Sequence, residues 1–190
     1  MSKIAMMTQT DLSKYNNDWF NEGAGLVKRS LWFMVNALFF INPLNPLSGI
    51  KVQLLRLFGA EVGKGVVIKP GVNIKYPWKL VLGDYTWIGE RVWIDNLEKV
   101  VIGRNCCLSQ ECLILIGNHN YKLSTFDLMV APVVIEDGVW MGARSIVTGG
   151  VRCGSHSVLS VNSVASANLE PYAIYRGNPA HKVKDRHIEE

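Results

Sequence analysis

The sequence predicts an all-β fold, a left-handed parallel β-helix of hexapeptide repeats, on three observations. From Val62 onward the chain reads in hexads, each opening with an aliphatic residue that is often followed by Gly. The fifth residue of most hexads is small or β-branched. The hexads group in threes, with coil starts at Val62, Leu82 and Ile102, a spacing of 20 residues. Such a period marks stacked units that close a core only against their neighbours.

The first coil is VGKGVV, IKPGVN and IKYPWK. Leu80 and Val81 then precede LGDYTW, IGERVW and IDNLEK, and Val100 and Val101 precede IGRNCC, LSQECL and ILIGNH. The register resumes at Ile135 with IEDGVW, MGARSI and VTGGVR, and at Cys153 with CGSHSV, LSVNSV and ASANLE, 18 residues later. In a triangular coil the first and fifth residues of each hexad point inward, so the fifth must be compact. Trp78 and Glu98 depart from this, and both precede a two-residue insertion. The glycines after the opening aliphatics are expected where the chain rounds a corner.

Residues 62–170 are therefore expected as the β-helix, residues 1–61 as an N-terminal helical cap and residues 171–190 as a basic C-terminal tail. In the cap, residues 26–41 read as a helix stopped before Pro43. A second helix over residues 50–58 places Ile50, Leu54, Leu57 and Phe58 on one face and stops at Gly59. Both suit a cover for the open end of a solenoid. Residues 120–132 fit no hexad, and an insertion at one corner of a regular coil projects as a loop, a common place for function.

The chain has 190 residues, 48% of them hydrophobic and 19% charged, which suits one folded domain. The net charge of +4 is dispersed, too weak an imprint for nucleic-acid binding. Cys106, Cys107, Cys112 and Cys153 lack zinc-site spacing and read as buried free thiols of a reducing, cytoplasmic protein. No secretory leader pattern opens the chain. The apolar run at residues 31–41 covers about half of the roughly 20 residues a membrane span needs. Trp32, Phe33, Phe39 and Phe40 behind Lys28 and Arg29 could instead rest on the inner face of a membrane, or pack on the solenoid as a cap.

His119 closes a coil and opens the projecting loop. The stretch IGNHNYKLSTFDLMVAPVVIEDGVWMGARSIVTGG resembles the hexapeptide-repeat acetyltransferases, whose galactoside, maltose and Nod-factor branches carry a His at this corner and then an IG-x-x-V-W-I-G coil. The resemblance covers residues 62–184. With NPLNPLSGIKVQLLRLFGAEVG it points to the colanic acid biosynthesis branch, which acts in exopolysaccharide assembly. It implies a homotrimer with active sites between subunits, acetyl-CoA as donor, a sugar hydroxyl as acceptor and no metal. His119 would be the general base, imidazole having an unperturbed pKa near ~6.5. A backbone N–H near Gly142 would meet the oxyanion.

The same resemblance places Trp140, Gly142, Ala143, Ser160, Val161 and Ser166 along the pantetheine channel, and Arg176, Lys182 and Lys184 near the phosphates. Relatives often carry Thr-Lys where this chain has Ser166-Ala167, and a tail Arg where it has His181. Asp95 and Asn96 stand near the acceptor position, while the galactoside branch's Asn corresponds to Gly89. Asn120 replaces an Asp that often follows the catalytic His and that could orient the ring. His156 reads as a solvent-facing turn residue. A non-catalytic scaffold on the same fold and a γ-class carbonic anhydrase remain as alternatives. The latter needs three His ligands around one metal, and this zone offers one.

Overall fold

The computed structural model describes residues 8–189. The first seven residues of the expected cap, and Glu190 of the expected tail, lie outside the described residues. Five complete coils form a left-handed triangular prism with three parallel sheets. The first sheet stacks Glu61–Val62, Leu80–Leu82, Val100–Ile102, Val133–Ile135 and Arg152–Cys153. The second stacks Val67–Ile68, Trp87–Ile88, Cys107–Leu108, Trp140–Met141 and Val158–Leu159. The third stacks Asn73–Ile74, Trp93–Asp95, Leu113–Leu115, Ile146–Thr148 and Val164–Ala165.

The 20-residue period sets the register: Ile68 pairs with Ile88 and Ile88 with Leu108, so like residues stack in columns. Opening aliphatics such as Ile68, Ile88, Leu108, Met141 and Leu159 are fully buried. Fifth-position Thr86, Ser145, Ser157 and Ser163 are buried with them. Thr86 shows how a hydroxyl is tolerated there. Its Oγ1 donates to the Gly103 carbonyl at 2.7 Å and accepts from the Cys106 N–H at 3.2 Å. Cys106, Cys112 and Cys153 are also inside, and burial pushes their thiols up to about 11, 11 and 12.

The corners differ from expectation in one respect. The left-handed residue is the fourth of the hexad, as at Tyr85, Arg91, Asn105, Glu111, Arg144, His156 and Asn162, with φ between 55° and 61°. Glycine at the second position answers a different demand, the approach of the next coil. A Cβ on Gly142 would lie 2.6 Å from the Val161 amide nitrogen.

The first helix, α1, spans Leu26–Val35 and continues as a wider π-helical turn, Asn36–Ile41. It lies against the third sheet, with the Trp32 indole N–H donating to the Ile74 carbonyl at 2.8 Å. Trp32 and Phe40 are buried in the core, Phe39 is half-buried, and of the four aromatics at residues 32–40 only Phe33 is exposed. Lys28 sits 5.0 Å from the Trp78 ring and Arg29 pairs with Glu22. Of the four aromatics read from sequence as a surface set, Phe33 alone is thus exposed, beside Leu26, Val27, Leu31, Met34 and Leu38. No described helix is long and apolar enough to cross a membrane.

The second helix, α2, spans Ser48–Leu57. It turns Lys51, Val52 and Leu55 inward and leaves Ile50 and Leu57 exposed, while Leu54 and Phe58 are partly buried. The expected face is therefore rotated. The reason is Lys51, whose Nζ donates to the Lys69 carbonyl at 2.9 Å and whose pKa is lowered by burial. The C-terminal tail is ordered as an antiparallel hairpin, Ala173–Gly177 with Ala180–Asp185, which extends the second sheet.

Candidate active site

The third strand of the third coil, Leu113–Leu115, leads through buried Ile116 and Gly117 to a short antiparallel ribbon. In it Asn118–His119 pairs with Leu128–Met129. The insertion at residues 120–132 is thus a hydrogen-bonded ribbon rather than an open loop. Asn120 N–H donates to the Asp127 carbonyl at 2.8 Å, and Leu123 and Phe126 close the turn through main-chain bonds. The N-terminal segment fastens the tip, Asp11 N–H donating to the Ser124 carbonyl at 2.8 Å.

The His119 ring is held from three sides. Its Nδ1 lies 2.9 Å from the Phe126 carbonyl oxygen, its plane is stacked on the Phe126 ring, and Tyr15 approaches at 5.9 Å between centroids. A carbonyl only accepts, so Nδ1 carries the proton and Nε2 keeps the lone pair in the neutral ring. Among the described residues nothing bonds Nε2. The orienting role that an Asp after the His would have is filled by the Phe126 main chain. Asn120 instead braces the turn, its Oδ1 accepting from Lys122 N–H at 3.2 Å. Phe126 and Tyr15 were not singled out by sequence, and no pattern in the ribbon or the N-terminal segment marks them.

Asp95 and Asn96 separate in the structure. Asn96 is fully buried and staples two coils, its side chain donating to and accepting from the Tyr76 main chain at 2.6 and 3.0 Å. That removes it as an acceptor-binding residue. Asp95 is paired with Lys75 at 3.0 Å through Oδ1. Its Oδ2 lies near Gly117, where a Cβ would stand 3.6 Å away. Lys75 and Asp95 are 20 residues apart, so the coil period could have revealed the pair.

The other residues gather on the opposite edge of the third sheet. Trp140 is exposed on the second sheet and donates from its indole N–H to Ser109 Oγ at 3.0 Å. Gly142 N–H is occupied, donating to the Leu159 carbonyl at 2.7 Å. The donor expected near Gly142 is therefore not the N–H of Gly142 itself. The Ala143 N–H, one residue on, makes no hydrogen bond among the described residues. Ser160 donates its N–H to the Tyr175 carbonyl and Val161 is exposed, whereas Ser166 follows Val164–Ala165 at the other edge of the third sheet, on the His119 side.

Arg176 and Lys184 are exposed on the hairpin. Lys182 is bound by both Glu170, at 2.8 Å, and Asp185, at 2.9 Å, and these carboxylates raise its pKa. His156 is half-buried and stacked on Tyr172 at 4.8 Å rather than standing free in solvent. Among the described residues no three His, Cys, Asp or Glu side chains are grouped as metal ligands.

His119 stands at the corner between the third and first sheets, and Ala143 at the corner between the second and third. Six residue steps, from Ala143 to Gly149, span that face, up to roughly 20 Å of extended chain. One chain therefore presents His119 and the surface along Trp140, Ala143 and Val161 on two edges rather than in one pocket.

No protein-family model matches the chain. Over 176 residues it is 36% identical to the "Putative colanic acid biosynthesis acetyltransferase WcaF" of Escherichia coli K12, covering 93% of this chain and 97% of that one. Its fold matches a maltose O-acetyltransferase from Clostridium difficile 630 with a TM-score of 0.77 at 22% identity, over 96% of this chain and 100% of the other. A hexapeptide-repeat acetyltransferase of Vibrio cholerae, solved with acetyl coenzyme A, also matches at a TM-score of 0.77 and 22% identity, over 85% and 88% of the chains. These similarities define the protein as an acyltransferase built on a parallel β-helix. Within that class, the chain belongs to the hexapeptide-repeat acetyltransferase family.

Proposed function

We propose that the protein moves acetyl from acetyl-CoA to a sugar hydroxyl in exopolysaccharide assembly, with His119 as general base. The observation that carries this reading is the Nδ1 bond to the Phe126 carbonyl, which leaves the lone pair of the neutral ring on Nε2. The name of the 36% identical relative supports the pathway, and the Vibrio cholerae complex supports the donor.

His119 Nε2 takes the proton of the acceptor hydroxyl as that oxygen attacks the thioester carbonyl carbon. The oxyanion that forms is met by the Ala143 N–H of a neighbouring copy, whose groove along Trp140, Gly142, Ser160 and Val161 takes the pantetheine arm. Collapse breaks the C–S bond, and the imidazolium returns its proton to the departing thiolate. A homotrimer suits this chemistry, because the two edges that carry base and donor groove meet only when prisms lie side by side. Arg176 and Lys184 stand at the end of that groove for the phosphates.

The test is release of CoA thiol with a panel of glycans. Wild type should turn over at least one of them, and His119→Ala should be slower by about 10²–10⁴-fold. Full activity in that variant overturns the assignment.

A further inference from the structure

A cleft of about 640 Å³ runs between α1 and the outer face of the third sheet. Its two walls differ in chemistry. On the helix side stand Leu26, Phe33 and Met34, all strongly exposed. On the prism side stand Trp93, half-exposed, and the Lys75–Asp95 pair. Arg29 also lines the cleft, and its Nε is buried without a hydrogen-bond partner among the described residues. The polar end leads toward the base, since Asp95 Oδ2 lies beside Gly117, two residues before His119.

We propose that this cleft binds an amphiphilic glycan, a sugar joined to an apolar chain, as a subsite of the acceptor. The sugar stacks an apolar face on Trp93 and donates a hydroxyl to Asp95 Oδ2. The apolar chain runs outward along Leu26, Phe33 and Met34. Each element answers a feature otherwise unexplained: an exposed indole, a carboxylate oxygen left over from its ion pair, and large apolar side chains in water. A free sugar leaves the helix wall bare. A wholly apolar occupant, such as the flank of a second copy, would bury the Asp95 carboxylate oxygen unpaired. The direction of the glycan toward His119 rests on the acetyl-transfer reading above, whereas the binding itself does not.

Tryptophan fluorescence of the full-length protein titrated with n-octyl β-D-glucoside, below its micelle-forming concentration, and with methyl β-D-glucoside tests this. A buried methylene is worth roughly a factor of four in affinity. Octyl glucoside should therefore saturate at least about 30-fold more tightly than methyl glucoside. The double variant Phe33→Ser, Met34→Ser changes exposed residues only, and should bring the two within about threefold. Asp95→Asn should weaken both glucosides together. His119→Ala should bind like wild type, so a failed general base and a failed cleft give different results. Equal affinities for the two glucosides, or unsaturable binding, overturn the proposal. So does an oligomer that comes apart in the Phe33→Ser, Met34→Ser protein, because a second copy then fills the cleft.

Discussion

The imidazole of His119 lies parallel to the ring of Phe126, with centroids 4.4 Å apart and planes within 9°, while its Nδ1 faces the carbonyl of the same residue at 2.9 Å. One residue thus fixes both the tautomer and the plane of the base. Phe126 itself sits at φ 55°, in the left-handed region, so the turn presents its carbonyl at some conformational cost.

Phe126→Ala keeps the carbonyl and loses the stacking surface. It should lower kcat by about tenfold with little change in KM for acetyl-CoA, because orientation rather than binding is lost. Steady-state thiol-release kinetics check this. A KM effect with unchanged kcat would show that the ring serves binding instead.

The hairpin cations should divide unequally. Lys182 is already engaged by Glu170 and Asp185, whereas Arg176 and Lys184 have no ion-pair partner among the described residues. Lys184→Ala and Arg176→Ala should each raise the KM for acetyl-CoA by about three- to tenfold, in line with a lost charge-assisted bond at an exposed site. Lys182→Ala should stay within about twofold. Salt should narrow the differences.

Ser157 is buried in the core and its hydroxyl has no partner among the described residues. Ser157→Ala should be neutral or stabilising by about 1 kcal/mol, since an unsatisfied buried hydroxyl carries its desolvation cost unrelieved. Thr86→Ala is the contrasting case, because it leaves the Gly103 carbonyl and Cys106 N–H short of a partner. It should destabilise by about 1–2 kcal/mol. Denaturant titration of both variants separates the cases.

The buried thiols make the fold alkali-sensitive. Their folded pKa values, about 11 for Cys106 and Cys112 and about 12 for Cys153, lie above the ordinary 9.0, so the unfolded chain loses protons first as pH rises. Stability from these groups is complete below pH 9 and is lost as pH climbs through 11 to 12. At pH 10 each thiol accounts for roughly 1 kcal/mol of lost stability. Cys112→Ala should therefore flatten the fall in melting temperature between pH 8 and pH 10. At neutral pH, Cys106, Cys112 and Cys153 should resist a thiol reagent until the protein unfolds.

The prism was legible because its demand is periodic. Ile88, Ile94 and Ile102 each stand in the column of a different sheet, each must be aliphatic to stack on its partners there, and a six-residue count finds them. What periodicity does not carry is a main-chain partner. Lys51 reads as a surface residue of α2, and only the Lys69 carbonyl makes its burial tolerable. Gly142 reads as a free donor until its N–H is found in the ladder to Leu159. The same holds at the site, where Phe126 acts through its backbone. Asn96 looks like a ligand for a sugar because its amide is polar, but that amide is spent between coils.

The C-terminal hairpin bears on how the molecule ends. A stack of parallel rungs is a template that a further chain could extend, as in a growing fibril. Here the last rung of the second sheet is met by Ala173–Gly177 and then by Ala180–Asp185, whose direction reverses and whose outer row carries Lys182, Lys184 and Asp185. Reversal and charge together stop elongation at one molecule's length. The segment that could supply cations to a phosphate is also the one that keeps the solenoid finite, so truncating it would convert an enzyme edge into a polymerisation edge.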